Sequence, residues 1–186
     1  MAKMKVTKKF KTKGLKRLLF AAVVAIAAAA QALSTSSGPS ASAEGAARTV
    51  FRITDGDTLV LENGEKVRLI GVDTPEIHDS QGRNAAHARR FHTSEAVVDS
   101  YAQKAREFLE LESEGKKVRL EYGGEKTDKY GRTLAFVYRE SDGLFLNAEI
   151  LKRGYGFAYT RFPFKYSDDF KRYEAEARRN REGLWK

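Results

Sequence analysis

The feature that most constrains this chain is the Asn63-Gly64 step, set between two runs of β-patterned residues. Asn-Gly suits the positive-φ positions of a tight hairpin turn, so the flanking runs are expected to pair antiparallel. Upstream, Val50, Phe51 and Ile53 lead into Asp55-Gly56-Asp57, and Leu59 to Leu61 carry the chain to the turn. Downstream, Lys66-Val67-Arg68-Leu69-Ile70 begins by alternating, which puts Arg68 on the face opposite Val67 and Leu69.

The pattern then changes period. Val98, Tyr101, Ala105, Phe108 and Leu109 recur at helical spacing, and Gly115 marks the exit. Strand character resumes at Val118, Leu120 and Tyr122, and again from Leu134 to Tyr138 after the Gly131 turn. Two further helical faces follow: Leu146, Ile150 and Leu151 before Gly154, and Phe170, Tyr173 and Ala177 before Gly183. About five strands and three α-helices predict an α+β fold, a compact β-barrel with helices packed on it.

The net charge of +9 is unevenly distributed. The first 43 residues carry eight Lys or Arg and no acid, which leaves the remainder close to neutral. Overall basicity therefore says little about what the folded part binds. The leading cations precede an apolar run, Leu18 to Ala30, that is shorter than the roughly 20 residues a spanning helix needs. This layout predicts a signal peptide over residues 1–32, with Ala41-Ser42-Ala43 offering an alternative cleavage after residue 43. Residues 33–47, rich in Ser, Ala and Gly, are expected to be a flexible linker, and residues 48–186 a single domain without internal repeats. The absence of cysteine excludes a disulfide scaffold, a thiolate zinc site and a thiol nucleophile.

Polar chemistry concentrates in two blocks. The first is Asp55-Gly-Asp-Thr58 with Arg68-Leu-Ile-Gly-Val-Asp-Thr-Pro-Glu76; the second is Thr127-Asp-Lys-Tyr-Gly-Arg132. Asp57 and Asp73 both belong to the open end of the hairpin, out of step by roughly 10 Å at about 3.3 Å per residue, a gap that a bulge or strand bend would close. Two carboxylates with a backbone carbonyl make a hard-oxygen site suited to Ca²⁺ or Mg²⁺. Arg68 and Arg132 carry planar forks that match phosphate oxygens. Taken alone, Arg68 reads as a surface cation on a strand and Glu76 as a solvated loop carboxylate.

Together the two blocks resemble the staphylococcal nuclease (thermonuclease) family, and the resemblance runs from residue 48 to the Gly183-Leu-Trp185 ending. It implies a five-stranded OB-fold barrel. It further implies Ca²⁺ held by Asp57, Asp73 and the Thr74 carbonyl, Arg68 and Arg132 on the scissile phosphate, and Glu76 as general base. The 5′ oxygen would leave, giving 3′-phosphate ends. Lys129 and Tyr130 are expected to hold substrate phosphate, Asp128 to border the base pocket, Leu134 to contact the base and Tyr159 to stack on it. Arg161 stands where the family has a second pocket tyrosine.

The segment from Ile77 to Ala96 is longer than in the best-known form of that family. His78, His87 and His92 there, with Asp79, do not share one helical face and no Cys assists them, so a metal role is set aside. With Arg83, Arg89 and Arg90 the segment reads as a solvated loop. The sum is an exported, calcium-dependent nuclease acting as a monomer on DNA and RNA, single strands preferred, with no membrane span after processing. The rivals are a non-catalytic OB-fold module that binds nucleic acid or protein, which would lack some catalytic groups, and a phosphodiesterase confined to small nucleotides.

Overall fold

A computed structural model describes residues 46–186. The expected signal peptide and most of the expected linker lie outside the described residues. In chain order the elements are β1 (Arg48–Asp55), β2 (Thr58–Leu61), β3 (Lys66–Leu69), β4 (Val72–Asp73), α1 (Arg83–Phe91), α2 (Glu95–Ser113), β5 (Lys117–Thr127), β6 (Thr133–Arg139), α3 (Leu146–Lys152), β7 (Phe157–Ala158) and α4 (Ser167–Arg179). A 3₁₀ turn at Gly183–Trp185 follows.

Five strands close a barrel in the order β1-β2-β3-β6-β5. The Asn63-Gly64 turn joins β2 to β3 as an antiparallel pair with Leu59 opposite Val67. β3 then runs parallel to β6, Leu69 beside Ala135, and Arg48 opposite Val118 closes the ring. Val67 and Leu69 are buried with Arg68 turned out between them, as the alternation predicts. Val50, Ile53, Leu59, Leu61, Leu120 and Val137 complete the interior. Burying each such side chain contributes about 1.5–3 kcal/mol.

The expected helical stripe appears on α2, where Val98, Tyr101, Ala105, Phe108 and Leu109 are all buried and the Ser94 hydroxyl caps the Val97 N–H. On α3, Leu146, Ile150 and Leu151 point inward together with Asn147, which is fully buried. The Asn147 side chain accepts the Val137 N–H at 2.9 Å and donates to the Ile70 and Ala135 carbonyls at 2.9 and 3.3 Å. It supplies the partners that the β3–β6 ladder no longer offers where the two strands separate.

Two features depart from the sequence reading. Four α-helices are present among the described residues where three were expected, because part of the Ile77–Ala96 segment, read as a loop, folds as α1. Its start is fixed by the Asp79 carboxylate, which accepts the Arg83 and Asn84 N–H groups at 2.8 and 2.6 Å. Its inward face is Asn84, His87, Ala88 and Phe91, a helical spacing of i, i+3, i+4 and i+7 occupied by only one large apolar side chain. The second is a sharp exit from the barrel at Gly71, φ +75°, where a Cβ would meet the Phe170 ring at 2.8 Å. The bend sends β4 out to pair with β7 in a separate two-stranded sheet, Asp73 opposite Phe157. No helix among the described residues is long and apolar enough to cross a membrane.

Candidate active site

The bend at Gly71 resolves the spacing problem between Asp57 and Asp73. Asp57 lies in the β1–β2 turn, where its N–H reaches Asp55 Oδ1 at 3.2 Å. The turn is pressed onto α2 so closely that a Cβ on Gly56 would sit 2.6 Å from Ala105 Cβ. Asp57 is 4% exposed; its carboxylate accepts the Thr58 hydroxyl at 3.0 Å and the Thr74 N–H at 3.2 Å. Arg68, opposite Thr58 on β3, lays one guanidinium nitrogen on Asp57 Oδ2 and places the other 3.6 Å from Asp73 Oδ1. Asp73 Oδ2 lies 3.3 Å from His87 Nε2. Both aspartates thus approach the Arg68 guanidinium, one at each terminal nitrogen. Burial pushes the Asp73 carboxyl up, but the His87 hydrogen bond and the Arg68 charge together pull harder and hold it below the ordinary range.

Glu76 follows Thr74-Pro75 and is half-buried. Asn84 accepts its N–H at 2.9 Å and donates to its carbonyl at 2.8 Å, while Arg83 Nη2 lies 2.7 Å from its carboxylate. Burial raises the Glu76 carboxyl above its usual range, and the Arg83 charge offsets only part of that rise. Arg132 reaches in from the 128–132 turn, held by Asp128 through Nε at 2.8 Å and Nη2 at 2.7 Å. Arg68, Glu76 and Arg132 line one open cleft of about 360 Å³, along with Asp55, Asp57, Lys66, Gln81, Arg83 and Tyr130. Burial also raises the Asp55 carboxyl, against the pull of Arg68. Guanidinium forks facing a carboxylate with heightened proton affinity can grip an anionic phosphoryl group while a proton is taken from water.

A family model described as "Staphylococcal nuclease homologue" matches residues 66–186. The chain belongs to the staphylococcal nuclease family. It is 40% identical over 148 residues to an uncharacterised protein of Methanocaldococcus jannaschii, a match covering 73% of this chain and 70% of that one. Proteins named thermonuclease from Staphylococcus hyicus and Staphylococcus intermedius are 30% and 34% identical over 140 residues, covering 73% of this chain and 73% and 74% of theirs.

Against the staphylococcal nuclease pattern, the remaining expected residues divide. Tyr130 is 71% exposed on the wall of the cleft, with Lys129 Nζ 4.9 Å and Arg132 Cζ 5.4 Å from its ring centre. Asp128 does not line the cleft: its carboxylate accepts the Tyr130 and Arg132 N–H groups and the Arg132 side chain, so it builds the turn that carries Arg132. Leu134, half-buried, sits beside Arg68 on the neighbouring strand. Tyr159 and Arg161 are not among the residues that line this cleft; the Tyr159 N–H is held by the Gly71 carbonyl at 2.9 Å, and both side chains are exposed, next to Phe162. Sequence reasoning left out Asn84 and treated Arg83 and His87 as parts of a solvated loop. The one available signal was the helical spacing of Asn84, His87, Ala88 and Phe91.

Among the described residues no group of three or more His, Cys, Asp or Glu side chains is arranged to hold a metal ion. The donor chemistry nevertheless fits a hard divalent cation: two carboxylates, Asp57 and Asp73, converge from different segments at the edge of an open, polar cleft beside the Thr74 backbone.

Proposed function

We propose that this protein is an exported, calcium-dependent nuclease that hydrolyses phosphodiester bonds in DNA and RNA and leaves 3′-phosphate ends. The observation that carries the proposal is the convergence of Arg68, Glu76 and Arg132 on one cleft, beside the paired carboxylates Asp57 and Asp73. Family membership and the thermonuclease relatives support the same reading. The charged and then apolar leader supports export. An open cleft with an exposed tyrosine on its wall suits a flexible single strand, whose backbone can be drawn against the arginines. The protein is taken to act as a monomer.

Each step follows from a named group. The Arg68 and Arg132 forks bind the non-bridging phosphoryl oxygens and stabilise the charge that grows there during attack. Glu76 takes a proton from the attacking water as its oxygen bonds to phosphorus and the P–O5′ bond breaks, the 5′ oxygen leaving and taking a proton from solvent in the open cleft; the raised proton affinity of Glu76 favours this role. Tyr130 and Lys129 at the rim hold the neighbouring backbone. Asp57, Asp73 and the Thr74 carbonyl would hold Ca²⁺, which when bound supplies further charge neutralisation at the phosphate.

The test is incubation of the purified protein with single-stranded DNA and with RNA in Ca²⁺, in Mg²⁺ and in chelator. Degradation in Ca²⁺ that chelator abolishes, with 3′-phosphate ends on the products, is the expected result. Nucleic acid that is retarded on a gel but never cut would leave a binding module in place of an enzyme.

A further inference from the structure

Asn84 takes no part in the chemistry above, yet it is a polar side chain only 1% exposed and all its capacity is directed at one residue of the cleft and one anchor. Its carbonyl oxygen accepts the Glu76 N–H at 2.9 Å and its amide donates to the Glu76 carbonyl at 2.8 Å. One side chain thus occupies both backbone polar groups of a single residue, as a paired strand would. The remaining amide proton goes to Asp99 Oδ1 on α2 at 2.8 Å, which ties the arrangement to the longest helix among the described residues. The preceding residue, Arg83, reaches the other end of Glu76 and meets the carboxylate at 2.7 Å.

The mounting of this pair is itself rigid. Asp79 fixes the N–H groups of Arg83 and Asn84, and further along α1 Phe91 stacks on Phe157 at 4.3 Å while His87 meets Asp73. A buried amide needs hydrogen-bond partners somewhere, and many backbone groups would serve. Here the partners are those of the residue that carries the carboxylate, and two successive side chains grip its two ends.

We propose that Asn84 is the positioning residue for Glu76, fixing its backbone so that the carboxylate enters the cleft at a set point, with Arg83 steadying the carboxylate itself. The inference rests on reading Glu76 as the general base. Without the amide, Glu76 follows Pro75 on a segment with no ladder partner, and a displacement of order 1 Å costs on the order of 100-fold in rate.

The experiment compares the full chain with Asn84→Ala, Glu76→Gln and the double variant, using single-turnover cleavage of single-stranded DNA in Ca²⁺ and hydrogen exchange of the Glu76 amide in chelator. Asn84→Ala is expected to lower the cleavage rate about 10- to 100-fold, leave the half-saturating concentration within about twofold, and speed Glu76 amide exchange at least about tenfold. In the Glu76→Gln background it should cause no further loss, since both changes act through one carboxylate. Full activity of folded Asn84→Ala, or losses that multiply in the double variant, would overturn the positioning role. If Asn84→Ala does not fold, Asp99→Ala, a change at an exposed position that removes only the anchor, takes its place. A loss of about 3- to 10-fold that vanishes in the Glu76→Gln background is then expected, and full activity refutes the proposal. Glu76→Gln cleaving at the wild-type rate would sink the general-base reading itself. An inactive Glu76→Gln beside a fully active Asn84→Ala would sink only the inference drawn here.

Discussion

Arg68 and Arg132 enter the same cleft from different kinds of support. Arg68 stands in the middle of the barrel, paired with Thr58 on one side and Leu134 on the other, its side chain 16% exposed between carboxylates from two separate segments. Arg132 comes off a short turn and is held by Asp128, four residues earlier, on a more exposed surface. A cation enclosed by acids from elsewhere in the fold has become part of the fold's own charge balance. A cation steadied by its own turn has not, and can be changed at small cost to the rest. The pair shows how one polar cleft is assembled from a fixed arm and a locally supported one.

The largest test of this contrast is the stability of Arg68→Ala in chelator. Removal leaves Asp57, 4% exposed, facing Asp73 with no cation between them, and urea denaturation should show a loss of about 3 kcal/mol. A loss below about 1 kcal/mol would erase the distinction. Next in size is the response of that variant to calcium. With the guanidinium gone, both carboxylates are free for an ion, so Ca²⁺ at 100 times its Kd should return about 2.7 kcal/mol to Arg68→Ala and give a larger thermal shift than in the wild type at the same concentration. Equal shifts would mean that Arg68 and the ion do not compete for Asp57 and Asp73. Smaller still is Arg132→Ala, expected to cost no more than about 1 kcal/mol by the same denaturation measurement.

Acid probes the locally supported arm. Burial pushes the Asp128 carboxyl up, but the Arg132 backbone and side chain and the Tyr130 N–H outweigh it and hold the group below its ordinary 3.8. A depressed carboxylate stabilises the fold fully above its unfolded pKa, and that contribution is lost as pH falls through the lower folded value. Melting curves from pH 6 down to pH 2 should therefore show an acid-side drop that is shallower in Arg132→Ala but still present, because the backbone donors remain. An unchanged drop would leave the Arg132 side chain without influence on its own support.

The barrel was legible because its strands obey a simple rule: alternating apolar residues around an Asn-Gly turn produced β2, β3 and the outward Arg68. The stripes on α2, α3 and α4 were legible from their helical period, although of Phe170, Tyr173 and Ala177 on α4 the tyrosine is only half-buried. α1 escaped because its inward face is built from an amide, an imidazole and a methyl as much as from Phe91, and no scale of hydrophobicity marks Asn84 or His87 as core. Asn147 escaped likewise: hydrogen-bond geometry, not period, places it. In the site, Arg68, Glu76 and Arg132 could be assigned only through the two motif blocks, since each alone is an ordinary charge. The approach of Asp73 to Asp57 depended on a bend at Gly71 that strand counting registers only as a mismatch.

The most direct test of the central claim is the single-turnover cleavage rate of a 5′-labelled single-stranded oligonucleotide in Ca²⁺, with bound fraction measured in parallel, for the wild type, Arg68→Lys, Arg132→Lys and Glu76→Gln. Lysine keeps the charge and removes the fork. The account predicts rapid cleavage by the wild type and, in each variant, bound oligonucleotide cut at least about 100-fold more slowly. A wild type that binds without cutting, or variants that cut at its rate, would contradict it.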